Sequence, residues 1–141
     1  MMFRIRIYII SDVMIRNHDG SCGYHIIAYK GEEVIKKQGY RMKFDCTTRH
    51  RSYLEAVIAA LSRMNTPKFE CEIFCDFHQC VADAAEISER AKKDFRKKNG
   101  TEYANADLWR KLHKALSGKK WAWKYMPRED IEKSLQISET Q

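Results

Sequence analysis

No stretch of 18 consecutive apolar residues occurs anywhere in the chain, so nothing in it is expected to span a membrane. The opening MMFRIRIYIIS is basic and apolar but has no small-residue cleavage site. Its F-R-I-R-I alternation is the period of a strand, which argues against a secretory leader. A Cys-x-x-Cys pair is also missing, and the five cysteines are an odd number. The spacing of Cys71, Cys75 and Cys80 suits neither a zinc knuckle nor a disulfide framework, so reduced, cytoplasmic thiols are expected. Neither internal repeats nor a linker interrupts the 141 residues. A chain of that length buries one core without staples, and a single domain over 1–141 follows, its last few residues frayed. What the chain does have is positive charge: a formal net +7 favours an anionic partner, although charge alone is a weak discriminator.

Hydrophobic periodicity sets the element order. Residues 3–11 read as a strand with Phe3, Ile5, Ile7 and Ile9 on one face, and Arg4, Arg6, Tyr8 and Ile10 on the other. Arg16–Gly23 reads as a turn, and 24–29 with 34–42 as a hairpin. From Arg51 to Met64 the period becomes helical, with Leu54, Val57, Ile58, Leu61 and Met64 on one stripe and Asn65-Thr66-Pro67 as the stop. Residues 71–75 form a short buried strand. A helix is predicted over about 79–98 and another over 105–116. A last strand covers 119–125, and Pro127 suits the first turn of a terminal helix. Strands joined through a helix are expected to run parallel. The predicted class is therefore α/β: a five-stranded mixed sheet, an antiparallel β1-β2-β3 meander plus parallel β4 and β5, flanked by helices.

Two acids stand at strand ends, Asp12 after FRIRIYIIS and Asp76 after CEIFC. Residues just past the carboxyl ends of parallel strands line the crevice where ligands bind. Neighbouring strands lie about 4.8 Å apart, so the two carboxylates are expected to share one site. Such a pair resists joint ionisation, and a divalent cation resolves the conflict. Metal-assisted phosphate chemistry is the first expectation.

Four stretches carry a wider likeness: IYIISD (7–12), TTRHRSYLEAVIAAL (47–61), IFCDFHQCVADA (73–84) and NADLWRKLHKALSGKKWAWKY (105–125). Together, and in this order, they resemble the type 1 ribonuclease H family, whose members cut the RNA strand of RNA–DNA hybrids. The resemblance implies the ribonuclease H-like fold and a site where four carboxylates hold two Mg²⁺ (or Mn²⁺) ions. Asp12 then matches the first carboxylate and Asp76 the third. The second belongs to a T-T-N-N-R-x-E-L pattern, and here Tyr53 stands in the glutamate's place. Glu55 lies about 200° round the helix from that position and is expected to face solvent. A neutral phenol is a poor Mg²⁺ ligand. Arg49 and His50 replace the two asparagines that approach the hybrid in the family. Val13 and Met14 replace its glycine-rich turn, and the loop with its catalytic histidine is shortened. Asp130 is either the fourth carboxylate or an ordinary acid in a helix's first turn.

Arg90, Lys92, Lys93, Arg96, Lys97 and Lys98 cluster where some relatives carry a basic protrusion that grips nucleic acid. The plain alternative is a solvated helix face with pairs such as Glu89–Lys93. Trp109, Trp121 and Trp123 fall at core periodicities, and His78 and His113 read as surface groups. The expectation is a monomeric, ribonuclease H-like protein that binds nucleic acid (RNA–DNA hybrid or RNA), with cleavage weakened or lost. A working nuclease and a pure protein scaffold are the alternatives.

Overall fold

A computed structural model describes residues 3–13, 20–45, 47–64 and 69–140, with side chains to residue 136. The strands are β1 Phe3–Ser11, β2 Gly20–Lys30, β3 Glu33–Phe44, β4 Phe69–Cys75 and β5 Lys120–Tyr125. The helices are α1 Arg49–Ser62, α2 His78–Ala85, α3 Ile87–Ala91, α4 Ala106–Leu116 and α5 Arg128–Thr140. The sheet order is β3-β2-β1-β4-β5. β1–β2 and β2–β3 pair antiparallel, β1–β4 and β4–β5 parallel, as the crossover rule requires. This is the predicted mixed sheet.

The alternation in β1 sorts the two faces. Ile5, Ile7 and Ile9 point toward α1 and α4, where they meet Tyr53, Leu54, Val57, Trp109, Leu112 and Trp123. Tyr8, Ile27 and Phe74 point the other way and are covered by Ile131 and Leu135 of α5. Each fully buried aliphatic side chain here is worth roughly 1.5–3 kcal/mol relative to exposure. Apolar burial on both faces fits the interior places of β1 and β4 in the sheet.

Helix α1 begins at Thr48, whose side chain accepts a hydrogen bond from the Arg51 N–H at 3.1 Å. That cap sets the phase of the helix and turns Tyr53 inward, fully buried, beside Leu54 and Val57. Arg51 then ties α1 to α4: its Nη1 and Nη2 donate to both oxygens of Asp107 at 3.0 and 2.9 Å, and Nη1 also to Asn105 at 3.2 Å. The buried face of α1 is broader than the predicted stripe, since Ser52, Tyr53, Ala56 and Ala60 join it while Ile58 is only half-buried.

Two expectations need correction. The hairpin strands are longer than predicted, with β2 starting at Gly20, so Gly20–Gly23 is strand and not turn. The expected helix over 79–98 ends at Ala91 after a break at Glu86. Beyond it Asp94 and Phe95 take positive φ (50° and 56°), which puts Phe95 into the core at 3 % exposure. Burial of that ring overrides the helical charge pattern around it. Helix α5 runs as far as Thr140. The Arg16–Asp19 part of the predicted turn and the Asn65-Thr66-Pro67 stop lie outside the described residues.

Candidate functional site

Register places the site. Ile9 of β1 is level with Cys75 of β4, and Cys75 with Tyr125 of β5, so all three strands end at one edge of the sheet. Asp12, Asp76 and the start of α5 follow directly. The Asp12 N–H donates to the Ser21 carbonyl at 2.7 Å. Gly20 lies so close that a Cβ there would sit 2.7 Å from the Asp12 carbonyl oxygen, and its φ of +133° suits no other residue. The backbone at Asp12 is thus held by the neighbouring strand.

Around the two acids the structure gathers arginines. Asp12 Oδ1 accepts from Arg128 Nη2 at 2.6 Å, and its Oδ2 lies 3.7 Å from Arg41 Nη1. Asp76 Oδ1 accepts from the Tyr53 hydroxyl, and its Oδ2 lies 4.0 Å from Arg49 Nη2. Arg49 Nη2 in turn donates to the Tyr53 oxygen at 3.4 Å, with its guanidinium 5.6 Å above the Phe77 ring. Burial above all, and then the bond to Asp76, push the Tyr53 hydroxyl well above the usual phenol range. It stays protonated and acts as a donor.

The group is one electrostatic unit. The hydrogen bond to Asp12 holds the Arg128 proton most strongly, and the Asp76 charge adds to it. Arg49 is stabilised by Tyr53 and Asp76 and feels the repulsion of Arg128. Burial pushes the Cys22 thiol behind them up to about 12, with Asp12 and Asp76 both contributing. The two aspartates therefore face a common neighbourhood, and Arg128 stands between them electrostatically.

A two-metal site does not fit these residues as they stand. Three guanidiniums already offset the two carboxylates, and Tyr53, at the position of the second carboxylate, presents a hydroxyl hydrogen to Asp76 instead of an anionic oxygen. Among the described residues no three His, Cys, Asp or Glu side chains lie close enough to hold a metal ion. Asp130 is exposed in the first turn of α5, and it is Arg128 from that same turn that reaches Asp12. Glu55 is half-buried on the far side of α1, lining a cavity with Met42, Phe44 and Leu108. Sequence reasoning missed Arg41 and Arg128. Nothing in the local pattern pairs residues 116 positions apart.

The other candidates divide. His50 does not join the acids: it packs edge-on to Phe77 and Trp109, with Nε2 3.5 Å from buried Asp83. In the basic segment, Arg90 pairs with Asp83 at 3.1 Å and stacks 4.1 Å above Tyr103. Lys92 pairs with Glu89, and Arg96 with Glu102 and Asp94. Lys93, Lys97 and Lys98 are exposed and make no ion pair among the described residues, Lys97 lying 5.6 Å from the Tyr103 ring. The loop carrying Lys97 and Lys98 is closed by the Arg96–Glu102 bridge and by the Lys97 N–H bonding to the Thr101 carbonyl at 2.8 Å. Trp109 and Trp123 are core residues and Trp121 packs against them. His78 is exposed and stacks on Tyr125 at 3.7 Å.

Comparison with known proteins follows the same outline. The sequence matches the RNase H family over residues 6–128. No curated protein matches it. The fold is similar to that of LC9-RNase H1, a type 1 RNase H with the type 2 active-site motif: TM-score 0.72 at 16 % identity, covering 97 % of this chain and 71 % of that one. The RNase H1 of the halophilic archaeon Halobacterium salinarum NRC-1 aligns with a TM-score of 0.55 at 18 % identity, over 92 % of this chain and 89 % of that one. LC11-RNase H1, solved in complex with RNA/DNA hybrid, gives 0.56 at 17 %, over 93 % and 99 %. At such identities the likeness is one of fold.

Proposed function

The chain belongs to the RNase H family, and from that premise we propose that it binds RNA–DNA hybrid with two-metal cleavage weakened or lost. The observation that carries the second half is Tyr53: from the position of the family's glutamate its hydroxyl donates to Asp76. A glutamate there would share a cation with Asp76, whereas a protonated phenol takes up one of the oxygens a cation needs. The Arg128–Asp12 pair at 2.6 Å acts in the same direction. Loss of a ligand carboxylate removes metal placement and charge stabilisation together, which lowers rates by orders of magnitude. The first half draws on the family, on the relative solved with hybrid, and on the exposed lysines 93, 97 and 98. Asp130 is the residue of this chain that would stand as fourth ligand if cleavage survives.

Labelled RNA–DNA hybrid offered with Mg²⁺ and with Mn²⁺, beside an Asp12→Asn control, tests the reading. Hybrid is expected to be bound and left intact by both proteins. Cleavage that vanishes in the Asp12→Asn protein restores the working nuclease, and no binding at all leaves only the scaffold reading.

A further inference from the structure

We propose that Arg41, Arg49 and Arg128 form a metal-free phosphate subsite, taking a phosphodiester of the bound nucleic acid directly where relatives use cations. This rests on the nucleic-acid-binding reading above and specifies its chemistry. The charge balance points to it. Three guanidinium charges against the carboxylates of Asp12 and Asp76, with Tyr53 neutral, leave one net positive charge. A phosphodiester carries the one negative charge that balances it. A divalent cation entering instead would face like charge and would have to break the arginine pairs.

The donors are available. A guanidinium has five N–H groups in a rigid fork that matches phosphate geometry. Arg128 uses Nη2 on Asp12 and Nε on Glu132. Arg41 uses Nη1 on Ser21 and Asp12, and Arg49 uses Nη2 on Tyr53 and Asp76. Among the described residues, Nη1 of Arg128 and of Arg49 and Nη2 of Arg41 have no hydrogen-bond partner, and Arg49 Nε is buried without one. The side chains are 61 % (Arg41), 43 % (Arg128) and 35 % (Arg49) exposed, so they are open to a ligand at the sheet edge. The aspartates here serve as orienting partners: each holds a guanidinium in place through some of its donors and leaves others unpaired. The three come from β3, α1 and α5, so the cluster exists only in the folded chain.

The test is fluorescence anisotropy of the full chain with a short labelled RNA–DNA hybrid, over a salt series in EDTA and in Mg²⁺ at matched ionic strength. The same dissociation constant is expected in both buffers. Arg128→Gln and Arg41→Gln, two exposed positions whose folding is checked by circular dichroism, should each weaken binding. Each should also reduce the slope of log K against log salt by about 1, the signature of one lost phosphate contact. The double variant Asp12→Asn/Arg128→Gln keeps the local charge sum and should stay weak, because the donors are gone. Affinity that falls tenfold or more in EDTA overturns the proposal, as do unchanged slopes or full recovery in the double variant. If hybrid still binds through the lysines of 93–98 in those cases, the binding reading survives alone. If wild-type protein binds no hybrid in either buffer, both fall.

Discussion

Tyr53 concentrates the consequences of a single side chain. It is fully buried, packs its ring 5.3 Å from Phe77, and donates to Asp76. Replacing it with glutamate while removing the Arg128 guanidinium from Asp12 by Arg128→Ala sets a new carboxylate against Asp76 and leaves only Arg41 and Arg49 beside three acids. That double variant should melt well below the wild type in EDTA and regain stability when Mg²⁺ is added. Binding at a hundred times its dissociation constant returns about 2.7 kcal/mol. Wild-type protein should show no Mg²⁺-dependent rise in melting temperature, and a rise of similar size would mean that its arginines do not exclude the ion. His50 offers a second residue-scale test. Burial holds its imidazole below the ordinary value, against the opposing pull of Asp83. The native imidazole therefore stays neutral while the unfolded chain takes up a proton as pH falls through about 6.5. Stability drops below that pH, because there the unfolded state binds more protons. Urea titrations from pH 8 to pH 5 should show a smaller loss in His50→Asn than in the wild type; equal losses would place the titration elsewhere.

At the scale of elements, the segment after α3 is the point of interest. Two consecutive non-glycine residues at positive φ are strained, and the surroundings must hold them. Phe95 is held by the core; Asp94 is held by Arg110 of α4, whose Nε donates to the Asp94 carboxylate at 3.0 Å and Nη2 to its carbonyl at 2.9 Å. The same guanidinium reaches Glu102 at 3.1 Å across the loop that carries Lys97 and Lys98. Arg110→Ala should loosen this loop without unfolding the sheet. Limited trypsin digestion would then cut faster after Lys97 or Lys98, with little change in global melting temperature. A cleavage rate equal to that of the wild type would show that Phe95 alone secures the turn.

For the whole molecule the governing quantity is the distribution of charge. The net charge is +7, yet much of the basic segment is already paired with acids, and surface pairs of that kind contribute little. The proposed contact with a polyanion assigns part of the attraction to Lys93, Lys97 and Lys98 and part to the arginine cluster. Between 50 and 200 mM salt the affinity for hybrid should fall by about 10³-fold or more if several phosphates are contacted. Converting Lys93, Lys97 and Lys98 together to glutamine should flatten that dependence; an unchanged slope would remove the segment from the interface.

Periodicity alone carried a large part of this molecule. The alternation of β1 and the helical stripe of α1 report which faces are buried, and burial decides element type; the order of elements then constrains the parallel and antiparallel pairings. Asp12 and Asp76 stand out in the sequence because each ends an apolar run, and Tyr53 stands out only through the resemblance of residues 47–54 to the family's T-T-N-N-R-x-E-L pattern. What required the folded chain was every contact between residues distant in sequence. Local pattern does not encode which cation meets Asp12, since Arg41 and Arg128 arrive from the edge strand and the last helix. Nor does it show that His50 turns into the packing around Phe77 and Trp109, or that the Phe95 ring ends a helix its charged neighbours would have continued. Hydrophobic patterning specifies a face, whereas an ion pair depends on where two separate elements cross, and only tertiary packing sets that crossing.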